Sequence, residues 1–150
     1  MSAQLSSDAP VISVFNVNGQ QLRHFSYPTH VAKPEETAAH QVAGLLNHAS
    51  LGIVFSKFTD GRGFSLAARI RESGYQGELH AMGEVNQELM FLLSRVGFTH
   101  FHLPHDTQTL APEVVQPFSA FYQGAQDGSL PVWQTQVVAA HTQTDEPAWA

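Results

Sequence analysis

The chain has 150 residues, 43% of them hydrophobic and 13% charged, with a net charge of −6 near neutrality. That suffices for one domain with a real core, and the acidic balance excludes a nucleic-acid surface, which needs clustered Lys and Arg to neutralise phosphates. With no cysteine present, disulfides, thiol catalysis and cysteine-ligated zinc or iron–sulfur clusters are excluded. Electrons in any redox role must be carried by another protein or a bound cofactor.

The opening run MSAQLSSDAPVISVF has no basic start and no sustained apolar stretch, and nothing approaches the roughly 20 apolar residues of a membrane span. The expectation is a soluble cytoplasmic protein, one domain over residues 1–150, with flexible tails at 1–9 and about 140–150. In VISVFNVNGQQLRHFSY the apolar alternation around Asn18-Gly19 predicts an N-terminal β-hairpin. KPEETAAHQVAGLLNHAS then predicts a helix from about 34 to 48, with Pro34 in its first turn, Glu35 and Glu36 near its positive end, and Ala38, Val42, Leu45 and Leu46 at helical spacing. LGIVF, 51–55, is too short and β-branched for a helix and reads as a central parallel strand covered on both faces.

The pattern repeats. Phe64, Ala67, Ala68, Ile70 and Arg71 form a helix that stops at Gly74, and GELHAM, 77–82, is the next strand. A helix over 86–96 places Val85, Leu89, Leu92, Leu93 and Val96 on one stripe, with Met90 and Phe91 on its flank, before strand THFHL at 99–103. A helix buried on more than one side packs either inside the monomer or across a homodimer through Leu89–Leu93. A last helix within 112–125, regular from about Gln116 because of Pro117, and an edge strand in LPVWQTQVV complete the reading. Strand–helix units feeding further strands make this an α/β fold, a mostly parallel open sheet flanked by helices.

In such a sheet ligands bind outside the carboxyl ends of the strands. Lys57, Asp60, Arg62 and Ser65 follow the first parallel strand, Gly83, Glu84 and Asn86 the second, and His105 and Asp106 the third. Five of the seven basic residues lie between 57 and 95 beside five acids, whereas the rest of the chain has two bases against eight acids. A locally less negative edge suits a small anion better than a polymer. In FTDGRGFS, Gly61 and Gly63 can present backbone N–H groups at a helix start and Arg62 can add a bidentate contact. The same turn also reads as plain structure, with Asp60 capping the helix, Gly61 turning the chain, and Arg62 in solvent or paired with Glu84. Its spacing matches neither a Walker loop nor a dinucleotide fingerprint, and Ser65 lacks a nucleophile elbow. His100 and His102 share a strand face, an H-x-H pair able to chelate a transition metal, but no third ligand stands at a characteristic spacing. The sequence therefore assigns no metal site.

Residues 55–98 carry a resemblance to the bacterial domain-of-unknown-function family 934. The family segment F-P-K-F-T-D-G-R matches Phe55, Lys57, Phe58, Thr59, Asp60, Gly61 and Arg62, with Ser56 in place of proline. The following helix matches at Ser65, Ala68 and Arg71. The next signature resembles R-A-V-G-D-V-L-R-D-Q-L. Here HAMGEVNQELM keeps Gly83, has Glu84 and Glu88 for aspartates, and has His80 for arginine. FYQGAQDGSLPVW is a weaker match. The family is found beside sulfite reductase and described as an oxidoreductase of sulfur assimilation. The resemblance therefore implies an accessory protein of assimilatory sulfite reduction that binds a small oxyanion or a partner enzyme at 57–65 and the facing turn 83–88. The alternative is a small enzyme using Asp60, Arg62 and Glu84 for acid/base and electrophilic work. The cofactor is not identified by either reading.

Overall fold

The structure is a computed structural model, and it describes residues 12–104, 121–126, 128, 130, 131 and 134. Five strands form one sheet: β1 (Ile12–Asn16), β2 (His30–Ala32), β3 (Ser50–Phe55), β4 (Glu78–Gly83) and β5 (His100–Pro104), in the order β1-β5-β4-β3-β2. β2 to β5 are mutually parallel and β1 is antiparallel to β5. The helices are α1 (Val42–Leu45), α2 (Arg62–Glu72) and α3 (Met90–Arg95), with 3₁₀ turns before α1 and α3. The α/β reading with a mostly parallel sheet holds.

The hairpin turn forms as expected. Gly19 takes φ 74°, and the Asn16 side-chain oxygen accepts from the backbone N–H groups of Asn18 and Gln20. Its returning limb is only one bridge, Phe15 to Gln21, because the chain then leaves for the far edge of the sheet, where it makes β2. The helix expected over 34–48 is much shorter. Residues 34–36 form a turn held by Glu36 N–H to Lys33 O, with the Thr37 hydroxyl also donating to Lys33 O, and Ala38 is extended. The stripe expected on helix 86–96 is also rephased. The segment opens with a 3₁₀ turn at Gln87–Leu89, so Met90 and Leu93 are buried while Leu92 is 50% exposed. Of the helix expected within 112–125, residues 121–125 are not helical. Arg95 Nη2 donates to Gln123 O, and Gln126 N–H donates to Arg95 O. Residues 112–120 of that helix, most of the edge strand, His105 and Asp106 lie outside the described residues.

From β2 to β5 the chain advances one strand at a time without reversing. Right-handed crossovers in one direction put every helix on the same side of the sheet. Leu51, Ile53, Phe55, Leu79, Ala81 and Phe101 point to that side and pack on Leu66, Ala67, Ile70, Met90 and Leu93, which forms the core. The other side carries Ser50 and Gly52 of β3, Glu78, His80 and Met82 of β4, and His100 and His102 of β5. Among the described residues it has no helix. Its cover is the segment linking β1 to β2, which must cross the whole sheet. Thr29 exchanges hydrogen bonds with Ser50, and a Cβ on Gly52 would stand 2.8 Å from Pro28 Cγ and from Met82 Sδ. β3 is thus covered on both faces, as its apolar run implied, by helices on one and a loop on the other.

Candidate functional site

Two groups of polar residues stand out, one at the carboxyl edge of the sheet and one on its helix-free face. At the edge, Asp60 and Arg62 form a closed pair. Arg62 Nε donates to Asp60 Oδ1 at 2.9 Å and Nη2 to Oδ2 at 2.6 Å, while Arg62 N–H donates to Oδ1 at 3.1 Å. Three donors on one carboxylate hold Asp60 down at about 2, with the Arg62 side chain the largest cause, its backbone N–H next, and Lys57 adding charge. Asp60 thus takes a first-turn amide of α2, although the residue at the N-cap is Gly61.

The remaining edge residues have varied roles. Lys57 is exposed, and its carbonyl accepts from Asp60 N–H. Gly61 has φ −66°, open to any residue, whereas a Cβ on Gly63 would run into the Phe55 ring, so this glycine serves helix-on-strand packing. The Ser65 hydroxyl donates to Gly61 O at 3.3 Å. Gly83 has φ +85° and lies against the Phe55 backbone, where Glu84 N–H donates to Phe55 O. The Glu84 side chain is exposed and makes no ion pair among the described residues; the partner of Arg62 is Asp60, not Glu84. Gly83 and Glu84 therefore meet the backbone of Phe55, the strand residue that leads into the 57–65 turn, while Asp60 and Arg62 meet through side chains.

The second group joins two strands. The parallel register sets His80 of β4 opposite His100 of β5, and their rings stack with centroids 4.3 Å apart and planes 11° from parallel. His80 Nδ1 lies 3.0 Å from His102 Nε2, and His80 Nε2 lies 3.5 Å from Glu78 Oε2. His100 Nδ1 lies 2.8 Å from the Thr99 hydroxyl. One ligand-type atom each from Glu78, His80 and His100 falls within 4.8 Å of the others, a grouping able to hold a metal. A pocket of about 340 Å³ opens beside it, lined by His24, Phe25, Ser26, Glu78 and His100. His102 is 3% exposed, has Phe25 and Tyr27 rings beside it, and its Nδ1 has no hydrogen-bond partner among the described residues.

H-x-H in β5 was visible in the sequence; its completion by Glu78 and His80 was not. The available signal was a second alternating pair, E-x-H, on the preceding strand, which a parallel neighbour brings alongside.

A family model described as a bacterial protein of unknown function, DUF934, matches residues 30–133. The chain belongs to the DUF934 family. No curated protein and no solved structure matches it. The match takes in β2 to β5, and with them the DUF934 edge turns and histidine cluster, while β1 and the covering residues His24 to Thr29 precede it. None of the described helices of this DUF934 chain is long and apolar enough to cross a membrane.

Burial is the largest cause pushing both inner histidines down, with repulsion from neighbouring histidines adding to it. His80 falls below its ordinary value although Glu78 acts in the opposite direction, and His102 falls to about 4. The folded state of the DUF934 chain therefore binds fewer protons than the unfolded one between about pH 6.5 and 4, so stability must fall with pH across that window. The His102 shift alone corresponds to about 3 kcal/mol. Urea unfolding at pH 7 and pH 4.5 should show the loss, and His102→Leu should flatten it. An unchanged pH slope in that variant would assign the loss to other groups.

Proposed function

We propose that this DUF934 chain is an accessory protein that docks on a partner enzyme through the turn 57–65 and the adjoining Gly83-Glu84 turn, in the setting of assimilatory sulfite reduction that the resemblance implies. The observation that carries this reading is Phe58, 53% exposed between Lys57 and the oriented Asp60–Arg62 pair. An exposed aromatic beside a preorganised arginine is the kind of anchor that dominates protein–protein binding energy. The other version, a small oxyanion on Arg62, has less support because the guanidinium already bonds Asp60 through Nε and Nη2, and Arg62 N–H is taken as well. The acid/base alternative has less support too, since a carboxylate held near 2 is a weak base at neutral pH and cannot serve as an acid there.

Binding of the purified chain to sulfite reductase tests the docking version, with Phe58→Ala expected to weaken the complex by roughly tenfold or more. If wild type and Phe58→Ala fail alike to bind, the docking reading is lost. Calorimetry with sulfite, sulfate, phosphate and adenylylated sulfate on wild type and Arg62→Ala separates the two versions. Docking predicts no heat from any of the four.

A further inference from the structure

We propose that Glu78, His80 and His100 bind one divalent transition-metal ion on the helix-free face of the sheet, with His102 as the positioning residue behind His80. The donor set is two imidazoles and one carboxylate with no thiolate, which suits borderline ions such as zinc, nickel, cobalt or copper(II) rather than soft ones. The three ligand-type atoms already lie within 4.8 Å of one another. Unlike a helix end or a run of surface acids, the cluster is built from adjacent strands and includes the fully buried His80.

The hydrogen bonds prepare the two rings for such an ion. The Thr99 hydroxyl accepts from Leu79 N–H at 3.0 Å and donates to Leu79 O at 3.3 Å. With its proton committed there, it accepts from His100 Nδ1–H at 2.8 Å, which leaves the His100 Nε2 lone pair for a metal. His80 has its Nδ1 against His102 Nε2 and its Nε2 toward the Glu78 carboxylate. When Nδ1–H donates to His102, a bare Nε2 lone pair faces the carboxylate, an arrangement of two acceptors that a cation between them resolves. Because the two rings stack nearly parallel, reaching one shared ion requires them to turn about χ2, a broad torsion for histidine. Three protein ligands leave further coordination positions open, and these face the pocket lined by His24, Phe25 and Ser26. An open site of that kind accepts water or a small ligand, whereas a closed structural site would be saturated by the protein.

This inference is independent of the docking surface, which lies at the sheet edge. The test uses the full chain without a histidine tag, stripped with a chelator and titrated with zinc chloride in equilibrium dialysis. One equivalent should bind saturably. Glu78→Gln and His100→Ala, both at positions with solvent access, should each weaken binding by roughly tenfold or more, while His48→Ala, which removes the separate stacked pair His30–His48, should leave it unchanged. Because a variant could misfold, cobalt(II) is added to wild type in parallel and the histidine ring resonances are followed by NMR. Those of His80, His100 and His102 should broaden before those of His30 and His48. Absence of saturable zinc binding, binding that survives both ligand substitutions, or broadening centred on His30 and His48 overturns the proposal.

Discussion

Replacing Arg71 by methionine is expected to lower the unfolding free energy by about 3 kcal/mol, read as a shift of the urea midpoint at constant slope. Arg71 sits near the end of α2, where its half-buried guanidinium gathers two loops. Nε and Nη2 donate to Gly97 O at 3.0 and 2.7 Å, and Nη1 donates to Tyr75 O and Gly77 O at 2.8 and 2.9 Å. One side chain thus joins the loop entering β4 to the loop entering β5. Burial pulls its pKa down, but an arginine remains charged, so these are charge-assisted bonds. Each such bond contributes roughly 1.5–3 kcal/mol, and water recovers part of the loss at a half-buried site. Methionine keeps most of the stem packing and removes the donors. Arg71→Lys should restore only part of the loss, because an ammonium lacks the planar fork that reaches three carbonyls on two loops. A loss below about 1 kcal/mol in Arg71→Met would show that solvent replaces the bonds and that the clamp is incidental.

Gly83→Ala should be comparably damaging, at about 3 kcal/mol, for a different reason. Gly83 closes β4 with φ +85°, where an L-residue is strained, and an added Cβ would also strike the Phe55 carbonyl oxygen in the neighbouring strand. That oxygen accepts from Glu84 N–H, so a shift to relieve the clash breaks the bond that seats the second edge turn beside the first. Gly74→Ala provides the control, since Gly74 has φ +92° with no atom of the described residues within 4 Å of an added Cβ. It should lose only the backbone component, about 1 kcal/mol. Equal losses in the two variants would mean that the approach to Phe55 contributes nothing. Because Gly83 lies against Phe55, the residue that leads into the 57–65 turn, its substitution should also weaken partner binding, whereas Gly74→Ala should not.

The edge turns were legible because their signals are local. The apolar run before 56, the Asp-Gly-Arg-Gly turn and the helical spacing after it all lie within a few residues, and the structure places α2 at Arg62–Glu72 and β4 at Glu78–Gly83 accordingly. The partner of Arg62 was a choice between solvent and Glu84 by charge alone, and the backbone decided otherwise, folding the Asp60 carboxylate within 3 Å of the guanidinium two residues away. The first helix was overread for a similar reason. Pro34, Glu35 and Glu36 suit a helix start, but the Thr37 hydroxyl and an extended Ala38 end that turn before a helix can propagate.

By itself the sequence determined the parallel α/β architecture, the carboxyl-edge turns, the Asn-Gly reversal and the exclusion of thiol and cluster chemistry, all of which follow from composition or from periodicity within one element. Only the tertiary structure decided that β1 inserts antiparallel beside β5, that the helices gather on one side, and that residues 20–29 cross the other. The same register, a relation between residues about 20 apart in the chain, brings His80 beside His100 and His102 and places Glu78 at their rim. Strand pairing is set by how the whole sheet buries its apolar face, so no spacing within either strand announces it.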